Sequence, residues 1–323
     1  MKRGLVIGKF MPLHIGHVAL IEFAAANTDE LIVSMSYTGN DPIDPALRIQ
    51  WIKTQFKDSS HVKVHSIKDD FDDESLPLPE RTVLWAKKIK EVYPPINILF
   101  SSEYYGEPFA KNLGAAHSLF DLKRTKVPIS ATAIRNKPFS YWNFIPDHIR
   151  PYFVKKICFY GPESTGKSTM TVTMASRYKT VYVPEAARDI LQSNDITEKE
   201  IIAIAQLQDQ YIRQKLVEAN KILFCDTDAI TTAIYSQHYL GRVPPMVAEL
   251  EQKTFYHHYF LLDIDVPWKA DRLRDQQHRR KEMMEIFEYE LVKRKIDYTI
   301  IKGQYAEREK QIIGYIEEML NQF

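Results

Sequence analysis

Two consecutive α/β domains, each a parallel sheet between layers of helices, are what this sequence predicts. Three observations predict them. The chain has 323 residues, about twice an ordinary domain length. Apolar strand-like runs alternate with helical periodicity from residue 3 onward. The alternation stops at the aromatic, proline-bearing PFSYWNFIPDHIRPYFVKK and then restarts, which sets expected domains of 1–152 and 153–323.

In the first domain RGLVIG reads as a strand, HVALIEFAAA as a helix and ELIVSMSY as a strand. PALRIQWIKTQF is helical, HVKVHSI a strand, ERTVLWAKKIKEVY helical and NILFSS a strand. In the second, VKKICFY opens a strand, STMTVTMASRY a helix and TVYVPE a strand. Helix over EKEIIAIAQLQDQYIRQKLVEAN, strand KILFCDTD and strand YHHYFLLDID follow. A charged helix from about Leu273 to Lys295 and the strand YTIIKG complete it. Repeated βα units of this kind place ligands at the carboxyl ends of the strands.

Composition excludes several functions. Hydrophobic residues are 45% and charged residues 26%, ordinary for a chain with ample core. The formal net charge of +1 argues against a broad basic face, so no nucleic-acid partner is expected. Nothing approaches the roughly 20 apolar residues of a membrane span, and the start lacks a signal-peptide pattern. The two cysteines, Cys158 and Cys225, lie in apolar strand-like runs and read as core residues. A cytoplasmic location without a membrane partner is expected, and self-association into a homo-oligomer is left open. The acidic run DDFDDE, residues 69–74, reads as a solvated loop.

In the second half, GPESTGKST matches the G-x-x-x-x-G-K-[ST] phosphate loop, follows an apolar strand and opens a helix. Glycines let the backbone curl so that successive N–H groups face phosphate. Candidate ATP contacts are therefore Gly161, Glu163, Ser164, Thr165, Gly166, Lys167, Ser168 and Thr169. Lys167 reaches the β- and γ-phosphates, and the Ser168 hydroxyl is a candidate Mg²⁺ ligand. KILFCDTD ends a strand in Asp226 and Asp228. Asp226 is the better candidate for the metal shell, and Asp228 is equally read as a helix N-cap. Glu185, closing VYVPE, is a candidate base for a substrate hydroxyl, with Arg188 nearby as a substrate contact. Arg272, Arg274, Arg279 and Arg280 are candidates for a lid over the transferring phosphoryl group, and Arg274 is placed in the catalytic set. ATP-dependent phosphoryl transfer is the expected chemistry of this half.

In the first half, GKFMPLHIGH turns a corner and sets His14 and His17 around Gly16 just where a helix begins. Such a helix start attracts phosphate through free N–H groups, and the imidazoles add donors. This H-x-G-H corner resembles that of the nucleotidyltransferase superfamily, whose members join a nucleotide to a phosphate and release pyrophosphate. The spacing in ISATAIR, with Ser130, Thr132 and Arg135, resembles a second motif of that superfamily. A Rossmann-like domain is implied. His14, His17, Lys9 and Arg135 are then catalytic candidates, and Gly8, Phe10, Gly16, Ser130 and Thr132 candidate ATP contacts. A phosphate-monoester nucleophile, with its second pKa about 6, needs alignment rather than a general base.

HIGH, ISATAIR and a phosphate-loop kinase domain in one chain resemble the bifunctional nicotinamide-nucleotide adenylyltransferase and ribosylnicotinamide kinase proteins of NadR type. The resemblance implies that the second domain phosphorylates ribosylnicotinamide to the mononucleotide. The first would then make NAD from that product and ATP, with Mg²⁺ as cofactor. It also implies substrate contacts at Asn40, Arg48, Glu103 and Tyr105, and Trp268 lying against the nicotinamide ring. An indole face attracts such a pyridinium cation, although a core tryptophan is an equal reading. Strand one begins at residue 3, so the helix-turn-helix that some NadR proteins carry, and with it a repressor role, is not expected. The same architecture acting on another metabolite, or a sensor of ATP and NAD with little turnover, remains open from the motifs alone.

Overall fold

The structure, a computed structural model, describes residues 1–322. The chain divides into two compact units, 1–149 and a second from Arg150 onward. The first holds β1 (Arg3–Gly8), α1 (Ile15–Ala25), β2 (Glu30–Tyr37), α2 (Pro45–Gln55) and β3 (Val62–Lys68). It continues with α3 (Leu78–Val92), β4 (Ile98–Ser101), α4 (Gly106–Leu113), β5 (Ala116–Leu119) and α5 (Ala131–Asn136). Its five strands are parallel in the order β3-β2-β1-β4-β5. Successive strands are added on one side of β1 up to β3 and on the other side from β4 onward, and this switch opens a crevice at the carboxyl ends of β1 and β4.

Burial explains why these segments are strands. Leu5 and Val6 on β1, Leu31 and Val33 on β2, and Leu99 and Phe100 on β4 are fully buried, as expected where helices cover both sheet faces. Leu5, Ile67, Ala86, Ile89 and Phe109 form the core that seats α3 and α4 on one of them. Helix α2 starts cleanly because the Asp44 side chain accepts from Ala46 N and Pro45 stands at the first turn.

The second unit holds β6 (Lys155–Tyr160), α6 (Lys167–Arg177), β7 (Tyr182–Val183), α7 (Ala187–Ile190), α8 (Glu198–Leu216) and β8 (Ile222–Asp226). Then come α9 (Ala229–Leu240), α10 (Pro245–Lys253), β9 (His258–Leu262), α11 (Arg280–Lys293), β10 (Tyr298–Ile301) and α12 (Tyr305–Gln322). These strands are also parallel, in the order β10-β9-β6-β8-β7. Every residue of β8 and β9 is buried, and Ile157, Phe159, Phe224 and Phe260 pack with Met170, Ile312 and Ile316. Cys158 and Cys225 are paired in register on β6 and β8 as free, buried thiols. A capping box between Thr197 and Glu200 sets the start of α8.

Several elements differ from the expectation. The charged helix begins at Arg280, not near Leu273, because the Asp271 carboxylate accepts from Leu273 N and draws that backbone into a turn. β7 is two residues long; Pro184, without an N–H, follows at its end. α4, β5, α10 and α12 were not foreseen. α12 carries Gly314 in its interior, which weakens the helical signal. Among the described residues, no helix is long and apolar enough to cross a membrane.

Candidate active sites

The first site is built on the corner between β1 and α1. Phe10 takes a left-handed backbone (φ 46°) and the Met11–Pro12 peptide is cis. His14 is the N-cap of α1: its Nδ1 accepts from Gly16 N at 3.1 Å and His17 N at 3.3 Å. With Nδ1 occupied as an acceptor, the neutral ring carries its proton on Nε2. A Cβ on Gly16 would meet the His14 ring at 3.0 Å, so glycine permits this close cap. The two imidazoles stack at 3.7 Å with planes 20° apart, and Phe10 meets His17 edge-on at 5.0 Å. Burial, reinforced by the Arg124 charge, lowers the His14 pKa to about 4. His17 is lowered too, by burial, then by His14 and Arg124. Both rings are therefore neutral N–H donors at neutral pH.

Arg135 on α5 donates to the Met11 carbonyl and, at 3.1 Å, to the Thr132 hydroxyl, while Ser130 caps α5 by accepting from Ala133 N. This joins ISATAIR to the H-x-G-H corner. A cleft of about 450 Å³ opens there, and its wall includes Gly8, Lys9, Phe10, His14, Gly16 and His17. Ser130, Thr132, Arg135, Glu103 and Tyr105 line it as well. The other expected contacts are elsewhere. Arg48 is fully buried beneath the corner, paired with Asp41 at 2.6 Å and donating to the Lys9 carbonyl at 2.7 Å. It braces the loop instead of facing the cleft. Asn40 is exposed in the preceding turn, outside the cleft wall.

Sequence reasoning missed Trp85, Arg81, Asp69 and Arg124, all on the wall. The acidic run is a loop, as expected, with Asp70, Asp73 and Glu74 exposed, but Asp69 and Asp72 are half-buried and line the cleft. Asp72 is held by Arg81, which lies over Trp85 at 5.4 Å. The sequence of the run gave no sign of that, because β3 and α3 bring it there.

The second site lies where β6 meets α6. Gly161 (φ 133°) and Gly166 (φ 89°) take backbone conformations that a side chain would strain, and a Cβ on Gly161 would meet the Leu262 carbonyl at 3.0 Å. The Lys167 ammonium folds over the loop onto the Gly161 and Pro162 carbonyls at 2.9 and 2.8 Å. A cavity of about 140 Å³ beside it is lined by Glu163, Ser164, Thr165, Gly166, Lys167, Ser168 and Thr169, and across from them by Glu185, Arg188 and Arg274. Asp226 ends β8 buried, and one carboxylate oxygen accepts no hydrogen bond. Burial and then the Glu185 charge push it up to about 6, against the pull of Lys167, Ser168 and Arg188. Burial likewise pushes Glu163 up to about 7, although Gln276 N donates to it.

Asp228 proves to be the N-cap of α9, accepting from Thr231 N at 2.9 Å. Glu185 pairs with Arg188 at 2.9 Å, and Arg188 with Asp271 at 3.1 Å. Of the four lid arginines, Arg274 lines the cavity. Arg272 donates to Gln192, Arg279 pairs with Glu282, and Arg280 donates to the Val266 carbonyl. Trp268 is outside the cavity wall and carries the Arg280 guanidinium 5.6 Å above its ring. A residue with no motif signal, buried Gln208, accepts from Ala186 N and donates to the Asp226 carbonyl. It thereby ties the strand tips that carry Glu185 and Asp226.

A parallel sheet whose first helix starts at paired histidines, followed by one whose first helix starts at a phosphate loop, defines a nucleotidyltransferase joined to a phosphate-loop kinase. Comparison with known proteins agrees. The chain is 31% identical over 99% of its length to the trifunctional NAD biosynthesis/regulator protein NadR of Escherichia coli (strain K12), covering 83% of that protein. For the NadR of Salmonella typhimurium (strain LT2) the identity is 30% with the same coverage. This chain belongs to the NadR family. A nicotinamide-nucleotide adenylyltransferase of Methanothrix thermoacetophila is 28% identical over 32% of this chain and 58% of its own. Residues 156–308 match the family described as AAA domain. Crystal structures of a NadR protein with NR, and with NAD and AMP-PNP, share the fold at TM-scores 0.82 and 0.81 and 20% identity. They cover 98% and 99% of this chain, and 95% and 96% of theirs is covered.

Proposed function

We propose that the chain is a bifunctional enzyme of NAD biosynthesis and salvage, with one reaction per unit. The second unit phosphorylates ribosylnicotinamide: the riboside hydroxyl attacks the γ-phosphorus of ATP, ADP departs, and the hydroxyl proton passes to Glu185. Lys167 follows the γ-phosphoryl group, Arg274 meets its developing charge, and Arg188 holds Glu185 and the riboside. The first unit joins the product to AMP. The mononucleotide phosphate, already largely dianionic, forms a bond to the α-phosphorus of ATP as the bond to pyrophosphate breaks. His14, His17, Lys9, Arg135 and the α1 start stabilise the pyrophosphate.

Magnesium fits the second unit. Asp226 offers a buried carboxylate oxygen that lacks a hydrogen-bond donor, next to the Ser168 hydroxyl. These two residues would hold the ion, which when bound with ATP neutralises β- and γ-phosphate charge. Among the described residues no three His, Cys, Asp or Glu side chains converge as a metal cage. That accords with an ion held mainly by phosphates and water.

The observation that carries this function is the presence, in one NadR-family chain, of both helix starts with their donors neutral or cationic as each reaction requires. Purified protein with Mg-ATP and either ribosylnicotinamide or nicotinamide mononucleotide tests it. Lys167→Ala should lower riboside phosphorylation by about 10²–10³ and leave NAD formation nearly intact; His17→Ala should do the reverse. Loss of both reactions from either single change in a folded protein would refute a two-site enzyme.

A further inference from the structure

Helix α8 buries Ile201, Ile204, Ala205, Gln208 and Ile212 along one stripe, so an amide stands where the helical period calls for an apolar side chain. Gln208 is 3% exposed. Its Oε1 accepts from Ala186 N at 2.9 Å, and its Nε2 donates to the Asp226 carbonyl at 3.3 Å. The two strands it joins are paired only briefly. β7 meets β8 at Tyr182–Phe224 and Val183–Cys225, and Pro184, which follows, has no N–H to extend the ladder. Glu185 and Asp226 stand just past that last rung. The Gln208 amide supplies a side-chain rung beyond it.

These tips carry like charges, and the Glu185 charge acts on the Asp226 carboxylate. Within the turn after β7, Arg188 N donates to the Glu185 carbonyl and Asp189 N to that of Ala186. Those bonds shape the turn without attaching it to β8. Ala186 packs with Ile204 of α8, one helical turn from Gln208, so the amide is itself firmly seated. This inference rests on the function proposed above, in which Glu185 takes the hydroxyl proton and Asp226 holds the ion. We infer that Gln208 is a positioning residue of riboside phosphorylation, its amide fixing the spacing between the Glu185 and Asp226 tips without touching substrate. A misplacement of about 1 Å at a reacting group costs on the order of 10² in rate.

The test uses the full chain with Gln208→Met or Gln208→Glu, well below each variant's melting transition, and has two readouts. One is steady-state riboside phosphorylation with Mg-ATP. The other is hydrogen exchange of the Ala186 N–H, followed by NMR without metal or nucleotide. Methionine matches the reach of glutamine but makes neither bond. In Gln208→Met the Ala186 N–H should exchange at least about tenfold faster, and kcat should fall about 10–10². KM for ATP and for the riboside should stay within about twofold, because Gln208 touches neither. A glutamate carboxylate only accepts. Gln208→Glu should therefore keep Ala186 protected yet still lose at least about tenfold in kcat at pH 8, because the bond to the Asp226 carbonyl is gone; it decides alone if Gln208→Met does not fold. NAD formation from nicotinamide mononucleotide should be unchanged in both variants. A native kcat in either folded variant, or unaltered Ala186 exchange in Gln208→Met, overturns the inference. A native chain that phosphorylates no riboside would instead overturn the proposed kinase reaction and the inference with it.

Discussion

His14 shows how one short local contact decides chemistry. By capping α1 through Nδ1 it fixes its own tautomer, and by stacking on His17 within a buried corner it keeps both rings uncharged. The imidazole signals of both residues should therefore stay flat in NMR titration from pH 8 to about 5, where an ordinary histidine titrates near 6.5. A transition near 6.5 would contradict the buried stack. The same shift has a consequence for stability. The folded pKa of His14, about 4, is below the ordinary 6.5, so the unfolded chain takes up the proton first as pH falls. Its contribution is complete above about 6.5 and is lost as pH drops toward 4. Thermal melts of His14→Gln against the native chain should show a weaker pH dependence in that window.

Among the elements, α12 contributes what its sequence least advertises. Its Arg308 is fully buried, donating to the Thr165 carbonyl of the phosphate loop at 2.6 Å, to Asp263 O at 2.8 Å and to Gly303 O at 2.7 Å, and pairing with Asp265. Removing the guanidinium leaves the carbonyls of Thr165, Asp263 and Gly303 without this donor. Arg308→Met should cost at least about 1–3 kcal/mol in the unfolding free energy of the second unit, measured by denaturant titration. Riboside phosphorylation should fall with it, while adenylyl transfer by the first unit persists. An unchanged transition would mean that the buried guanidinium is no brace for the loop.

At the scale of the whole molecule, two parallel sheets each present, at a strand's carboxyl end, a helix start to which the proposed function assigns phosphate. Calorimetric titration with a non-hydrolysable ATP analogue should give two sites per chain, and Lys167→Ala should weaken one of them only. A single site in the native chain would be incompatible with two reactions. The doubling is also what the family relationship implies: the match to NadR proteins runs through 99% of the chain rather than through one half.

The alternation of strands and helices, the restart of the pattern before β6, the histidine corner and the phosphate loop were all legible in the sequence by itself. Each is encoded by adjacent residues: apolar periodicity reports burial, and glycines at fixed offsets report a turn that only they can make. The tertiary structure alone decided which distant groups join them. Asp69, Trp85, Arg124, Gln208 and Arg308 carry no motif, because their positions depend on strand order and helix packing far along the chain. For the same reason Arg48 became a buried brace: a side chain's type is local, but its burial and partners are set only when the sheet has closed around it.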